Sequence, residues 1–173
     1  MTFPRKRIRL PAASYIGLRR YFLTFCCFQR HECSLEDNFN QYCIGKLREQ
    51  AAAHQFSVPA YCLMPDHAHL LVEALAVNSN LATFVKAFKQ ATGFEFERRT
   101  GERLWQRYYY DHALRPKDDL DGMAWYIWLN PVRAGLCAEE KEHRFLGSLT
   151  GLRPRGARSE LIWVPPKKES VAT

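Results

Sequence analysis

The 173-residue chain has no apolar run approaching the roughly 20 residues that a membrane-spanning helix needs, so a membrane is not expected among its partners. Its first residues lack the apolar stretch and cleavage site of a secretory signal. The six cysteines, at positions 26, 27, 33, 43, 62 and 137, form neither a CxxC pair nor a regular disulfide framework, and a reducing cytoplasm is the expected setting. No internal repeat is present, which sets aside a repeat array. Acidic charge is the scarcer sign: 18 Asp and Glu against 25 Lys and Arg leave a formal charge of +7 and a pI near 9.2. That excess favours a polyanionic partner without distinguishing DNA from RNA or from a membrane surface.

What remains has a globular composition, 47% hydrophobic and 25% charged, and a length that suits one domain with a core of its own. Cations crowd the two ends. Arg5, Lys6, Arg7, Arg9, Arg19 and Arg20 fall in a basic arm over 1–20, and a Gly-, Pro- and Arg-rich tail occupies 148–173. The expected folded domain is 21–147. Such clusters suit phosphates, although charge alone reads equally well as a solvated basic surface.

Within the domain, aromatic-rich Tyr21–Phe28 reads as a core strand. From Leu35 to about His54, Phe39, Tyr42, Cys43, Leu47 and Ala51 recur at helical steps. Ser57–Leu63 and His67–Ala74 are strand-like runs separated by Met64, Pro65 and Asp66, the pattern of an antiparallel hairpin. Leu81, Phe84, Val85, Phe88 and Ala91 mark a second helix, with Asn80 as its cap and Gly93 or Gly101 as its end. Leu104–Leu114 reads as a further strand, followed by a helix from about Lys117 to Asn130, where Pro131 ends it or begins a new turn. The order strand, helix, strand, strand, helix, strand predicts an α+β fold. Its antiparallel split-βαβ sheet carries helices on one face, and one more helix follows at the C-terminal end.

Two constellations carry chemistry. His67 and His69 stand two apart on a strand, so both imidazoles leave the same face and can share a cation, while Ala68 points to the core. Tyr126 and Asn130 stand at i and i+4 on a helix, one turn apart on one face. An asparagine carbonyl can complete a metal's ligand set, and a phenol beside the ion can act as a nucleophile once activated. Each feature also has a plainer reading, as hydrogen-bonded surface histidines, a tyrosine packed on the sheet and an asparagine capping a helix before proline. His31, His54 and His143 read as surface or satisfied histidines.

The run LMPDHAHLLVE, followed about fifty residues later by YIWLNPVRAGL, resembles the paired signatures of REP-associated tyrosine transposases, relatives of the single-strand HUH transposases; the likeness covers roughly residues 15–147. The resemblance implies a ferredoxin-like sheet, Tyr126 as nucleophile, His67 and His69 as ligands of Mg2+ or Mn2+, and Asn130 as third ligand where relatives often carry glutamine. It implies cleavage of single-stranded DNA beside a hairpin-forming palindrome. The arm at 1–20 then suits hairpin or flanking DNA. Trp105 and Arg107, in the run before the tyrosine helix, are further candidates for DNA contact. Asp66 and His112 are candidates to support the ligands. Tyr108, Tyr109 and Tyr110 compete with Tyr126 in residue type, though the resemblance places them outside the catalytic position. Trp105, Tyr109 and Trp128 are possible base-stacking platforms, with the core expected to claim at least two of them.

Two other readings stay open at this point. His67-x-His69-x-x-x-Glu73 resembles half of a cupin metal motif, which implies an all-β metal enzyme. A non-catalytic module that binds structured nucleic acid through Arg, Lys and aromatic residues needs neither metal nor nucleophile. Whether the protein acts as a monomer or a homodimer is left open as well.

Overall fold

The computed structural model describes residues 12–33, 37–153 and 163–165, so Arg5, Lys6, Arg7 and Arg9 lie outside the described residues. Its strands are β1 (Arg20–Cys26), β2 (Phe56–Leu63), β3 (His67–Ala74), β4 (Tyr110–Ala113) and β5 (Leu146–Gly147); its longer helices are α1 (Asp37–Ala53), α2 (Leu81–Thr100) and α3 (Leu120–Trp128). The strands form one sheet in the order β4-β1-β3-β2-β5, and every pairing is antiparallel. The first four reproduce the order expected of a split βαβ unit.

The two faces of this sheet have different partners, and period-2 alternation decides which side chain meets which. Tyr21, Leu23 and Phe25 of β1 and Ala68, Leu70 and Val72 of β3 enter the larger core with α1 and α2. Phe22 and Leu71 face the other way, into a second cluster with Met123, Ala124 and Ile127 of α3. The two crossover helices therefore share one face, and the helix that carries Tyr126 covers the opposite one.

Local signals explain the boundaries. The Asn80 side chain accepts from the backbone N–H groups of Ala82 and Thr83 and starts α2, and Gly101, at φ 74°, ends it in the left-handed conformation that glycine adopts freely. Pro59 has no N–H to give the ladder, and the β2–β3 register shifts between Ser57 and Ala60. The Asp119 side chain accepts from Asp121 N–H, so the last long helix begins at Leu120, later than the expected Lys117.

The expected strand Leu104–Leu114 is shorter than its aromatic content suggests. Only Tyr110–Ala113 pairs with β1. The residues before it bend round the end of β1: Phe28 N–H donates to Leu104 O at 2.7 Å, Gln106 N–H donates to Cys26 O at 2.9 Å, and Trp105 bridges Cys27. Leu104, Trp105 and Tyr109 all turn into the larger core, a direction that a regular pleat cannot give to neighbours 104 and 105 together. β5, absent from the sequence expectation, is two residues long and pairs with Tyr61 and Cys62.

Leu70 lies at the centre of the sheet, fully buried on the face away from the histidines. Leu70→Ala is expected to lower the free energy of unfolding by about 2–5 kcal/mol, measured by urea titration; a loss within error of zero would mean that this core is not the one described.

Candidate active site

The pleat sends His67 and His69 to the α3 face and Ala68 to the larger core. Thr24 of β1 stands opposite His69 in the ladder, and its Oγ1 lies 2.9 Å from His69 Nδ1. His67 Nδ1 lies 2.5 Å from Asp66 Oδ1; since a carboxylate only accepts, Nδ1 carries the proton there. Both rings are thus gripped at Nδ1, and their Nε2 atoms converge to 3.1 Å.

That convergence has two electronic solutions. In one, Thr24 donates its hydroxyl hydrogen to His69 Nδ1, and His69 Nε2–H donates to the lone pair of His67 Nε2. In the other, His69 Nδ1–H donates to Thr24, and two Nε2 lone pairs face each other, an arrangement that requires a cation between them. Threonine serves both because its hydroxyl donates and accepts. Two cis ligands, each about 2.1 Å from one ion, stand about 3.0 Å apart, so the observed separation fits a shared divalent metal. Burial, the neighbouring His67 and the Arg133 charge hold the His69 pKa down, to about 3, which keeps this imidazole neutral and able to ligate. Among the described residues no group of three or more His, Cys, Asp or Glu forms a metal cluster, so a third protein donor would have to be of another type.

Tyr126 brings α3 to this pair. Its ring centroid is 6.1 Å from that of His69 and 5.8 Å from that of Phe22, both in edge contact. Asn130 Nδ2 donates to Tyr126 O at 2.9 Å and Ile127 O at 3.3 Å. The second bond compensates for Pro131, whose missing N–H would have served Ile127 O in a continuing helix. The carboxamide nitrogen is therefore committed to the helix, and its oxygen is the atom left to act as a donor to a metal. Neither hydrogen bond reaches an imidazole; the structure unites Tyr126 with the histidines and places Asn130 one turn further on.

Arg133 is a residue that the sequence reading passed over. Its guanidinium lies 4.3 Å from the Tyr126 ring centroid and donates to Tyr126 O, and its charge acts on His69. The spacing contained the signal, since position 133 falls two turns after Tyr126 on the same side. Thr24, 45 residues from His69 in sequence, had none.

The remaining candidates separate by strand parity. His112 shares the Phe22 face and sits 3.7 Å from Asp118; burial lowers its pKa. Asp111 points to the other face, where Tyr15 donates to it. Of the three adjacent tyrosines, Tyr110 faces α3, 6.1 Å from Phe22, and Tyr109 is buried in the larger core. Asp66 holds His67 and lies 3.7 Å from Arg30. Trp163 packs against Phe22 and Tyr126 at 5.0 and 5.4 Å, so part of the C-terminal tail covers one side of the phenol.

Among the proposed DNA contacts, Arg19 and Arg107 are exposed, whereas Arg20 is paired with Glu73 at 2.8 Å. Trp105 requires correction. It is 7% exposed, its indole N–H donates to Thr92 Oγ1 at 2.8 Å, and Phe25 and Phe88 lie against it, so it offers no open face to a base. Tyr109 and Trp128 are buried too. Glu73, paired with Arg20 and about 13 Å along β3 from His69, does not join the imidazoles, and the α+β fold removes the cupin reading.

Comparison with known proteins bears on the family and the fold. The pattern of the IS200-like transposases matches residues 17–127. A Haemophilus influenzae protein named as a REP-associated tyrosine transposase is 27% identical over 126 residues, covering 66% of this chain and 71% of its own. A solved REP-associated tyrosine transposase bound to a REP hairpin superposes with a TM-score of 0.66 at 21% identity, over 84% of this chain and 82% of that one; it supports the fold.

A folded-state pKa below the ordinary 6.5 means that the unfolded chain takes up the His69 proton first. The stability this residue contributes is therefore complete above about pH 6.5 and is lost as pH falls towards about 3. In chelator, moving from pH 7.5 to 5.5 should cost wild type about 1.4 kcal/mol more than His69→Gln in urea unfolding. Equal losses would contradict a neutral buried His69.

Proposed function

Because the chain belongs to the IS200-like transposase family, whose members are DNA-cleaving enzymes, we propose that it is a metal-dependent single-stranded DNA endonuclease and strand transferase acting beside hairpin-forming palindromes. One observation carries the reading: two imidazole Nε2 atoms meet 3.1 Å apart, and one of their rings touches the only tyrosine that α3 presents to them.

In this reading His67 and His69 hold the ion through Nε2, with Asn130 Oδ1 as third donor. A bound Mg2+ or Mn2+ supplies Lewis-acid polarisation of the scissile phosphate and neutralises charge on its oxygens. Tyr126 Oη attacks phosphorus in line, the bond to the 3′-oxygen breaks, and the strand leaves as a 3′-hydroxyl while its 5′-phosphate stays on the tyrosine. The phenol's proton goes to solvent, and the leaving oxygen takes one up. Arg133, beside the ring, offers its N–H groups to a phosphate oxygen. Phe22 and Trp163 hold the phenol from below and from one side, which fixes its approach. The linked 5′-phosphate conserves the bond for rejoining. The hairpin held by the similar solved protein supports a palindromic substrate for this chain also.

Wild type with Mn2+ or Mg2+ is expected to form a covalent adduct with a single-stranded palindromic oligonucleotide, seen as a shifted band under denaturing electrophoresis. Tyr126→Phe should give none while still binding the hairpin; an adduct in that variant would move the nucleophile to another tyrosine, and none in wild type would favour a non-catalytic binding module. Thr24→Val, which leaves His69 Nδ1 without its partner, should weaken Mn2+ binding about 10- to 100-fold by calorimetry. Unchanged affinity would remove Thr24 from the ligand support.

A further inference from the structure

A groove of about 730 Å³ runs between α2 and the 103–109 segment, on the side of that segment away from Tyr126. Four cations line it, Lys86, Lys89, Arg103 and Arg107, against one carboxylate, Glu97. Along α2 its wall includes Lys86, Gln90 and Phe94, which stand at successive four-residue steps on one helix face. Phe94 is 70% exposed, an unusual position for a large aromatic ring on an otherwise polar stripe. Gly93 beside it brings no side chain into the groove; a Cβ there would stand 3.8 Å from the Trp105 indole.

The opposite wall is held rigidly. Lys89 Nζ donates to the carbonyls of Gln106 and Arg107, and Arg103 Nε donates to Trp105 O. Exposed Tyr108 carries the Arg107 guanidinium 5.6 Å from its ring centroid, at the crest of the wall.

The groove wall is hydrogen-bonded to the strand beside the site. Gln106 N–H binds Cys26 O, and Cys26 is the ladder partner of His67, so the backbone of the groove wall lies two strand spacings, about 10 Å, from the backbone of His67. Tyr109 lines the groove, while the next residue, Tyr110 of β4, turns towards Phe22 on the Tyr126 side. A strand led from the phenol across this crest would meet Arg107 and Tyr108 before Lys86 and Phe94 on α2. We infer that this groove is a track for single-stranded DNA flanking the cleavage point, with Lys86 and Arg107 on its phosphates and Phe94 stacking a base. The inference rests on the strand-cleaving reading for its direction, and on charge and exposed aromatic surface for its ligand.

The test uses the full chain and a fluorescein-labelled oligothymidylate of about 12 nucleotides, a length in the range of single-strand sites. Its anisotropy is followed for wild type, for Lys86→Ala/Phe94→Ala/Arg107→Ala, and for Arg48→Ala/Lys141→Ala, which removes equal charge elsewhere. All five side chains are exposed or at the surface, and circular dichroism confirms folding of each variant. The groove variant should bind at least about tenfold more weakly than the charge-matched one, combining two lost phosphates with a lost stack of about fivefold or more. The slope of log affinity against log salt should shrink by about 1.4. Equal affinities for the two variants, or wild-type binding by the groove variant, would overturn the assignment. Adduct formation by wild type is scored separately and bears on the Tyr126 reading alone.

Discussion

Two imidazole nitrogens held 3.1 Å apart in a largely buried setting are the constraint around which this protein is arranged. Neither ring can turn away, because Asp66 and Thr24 fasten the far nitrogen of each. Asp66 is itself fixed at the hairpin turn: its carbonyl accepts Cys27 N–H at 2.8 Å, and Met64 N–H donates to His67 O. The central position of β1 then has a purpose beyond sheet formation. It supplies Thr24 to one ring and Phe22 beneath the other side of the same ring, and Cys27, the residue directly after it, binds the turn that carries Asp66.

The C-terminal end of α3 resolves a conflict between helix continuity and site construction. Proline at 131 interrupts the hydrogen-bond ladder directly after the turn that presents Tyr126; the Ile127 carbonyl it leaves unserved accepts from the Asn130 side chain, and Tyr126 O accepts from the Asn130 and Arg133 side chains. The short turn Asn130–Arg133 follows directly, with Arg133 N–H on Leu129 O. An exposed cation is thereby anchored on the carbonyl of the residue whose ring it covers. Local backbone repair and placement of the phenol, the carboxamide and the guanidinium are one event.

Period and parity made much of this legible in advance. The alternation in β3 assigned His67 and His69 to one face and Ala68 to the other, and the three- and four-residue steps of α1 and α2 gave both crossover helices, with Asn80 marking the start of the second and Gly101, one of the two glycines expected there, its end. The 104–109 segment misled because aromatic density signals burial without saying through which backbone geometry; Trp105 and Tyr109 reach the core from a bend rather than a pleat. Contacts between remote positions, such as Thr24 with His69 or Trp163 with Tyr126, leave no trace in local spacing. Two-residue β5 is too short for any alternation to show.

That last strand has a consequence for how copies of the chain can meet. By pairing with Tyr61 and Cys62, and by continuing until Leu149 N–H reaches Val58 O, the segment after the tyrosine helix occupies part of the outer rim of β2. Backbone groups that another polypeptide would need for edge-to-edge addition there are already used by the molecule itself, a form of self-capping that discourages unintended sheet extension. At the other rim stands β4, only four residues long, which leaves little length for a neighbour to grip.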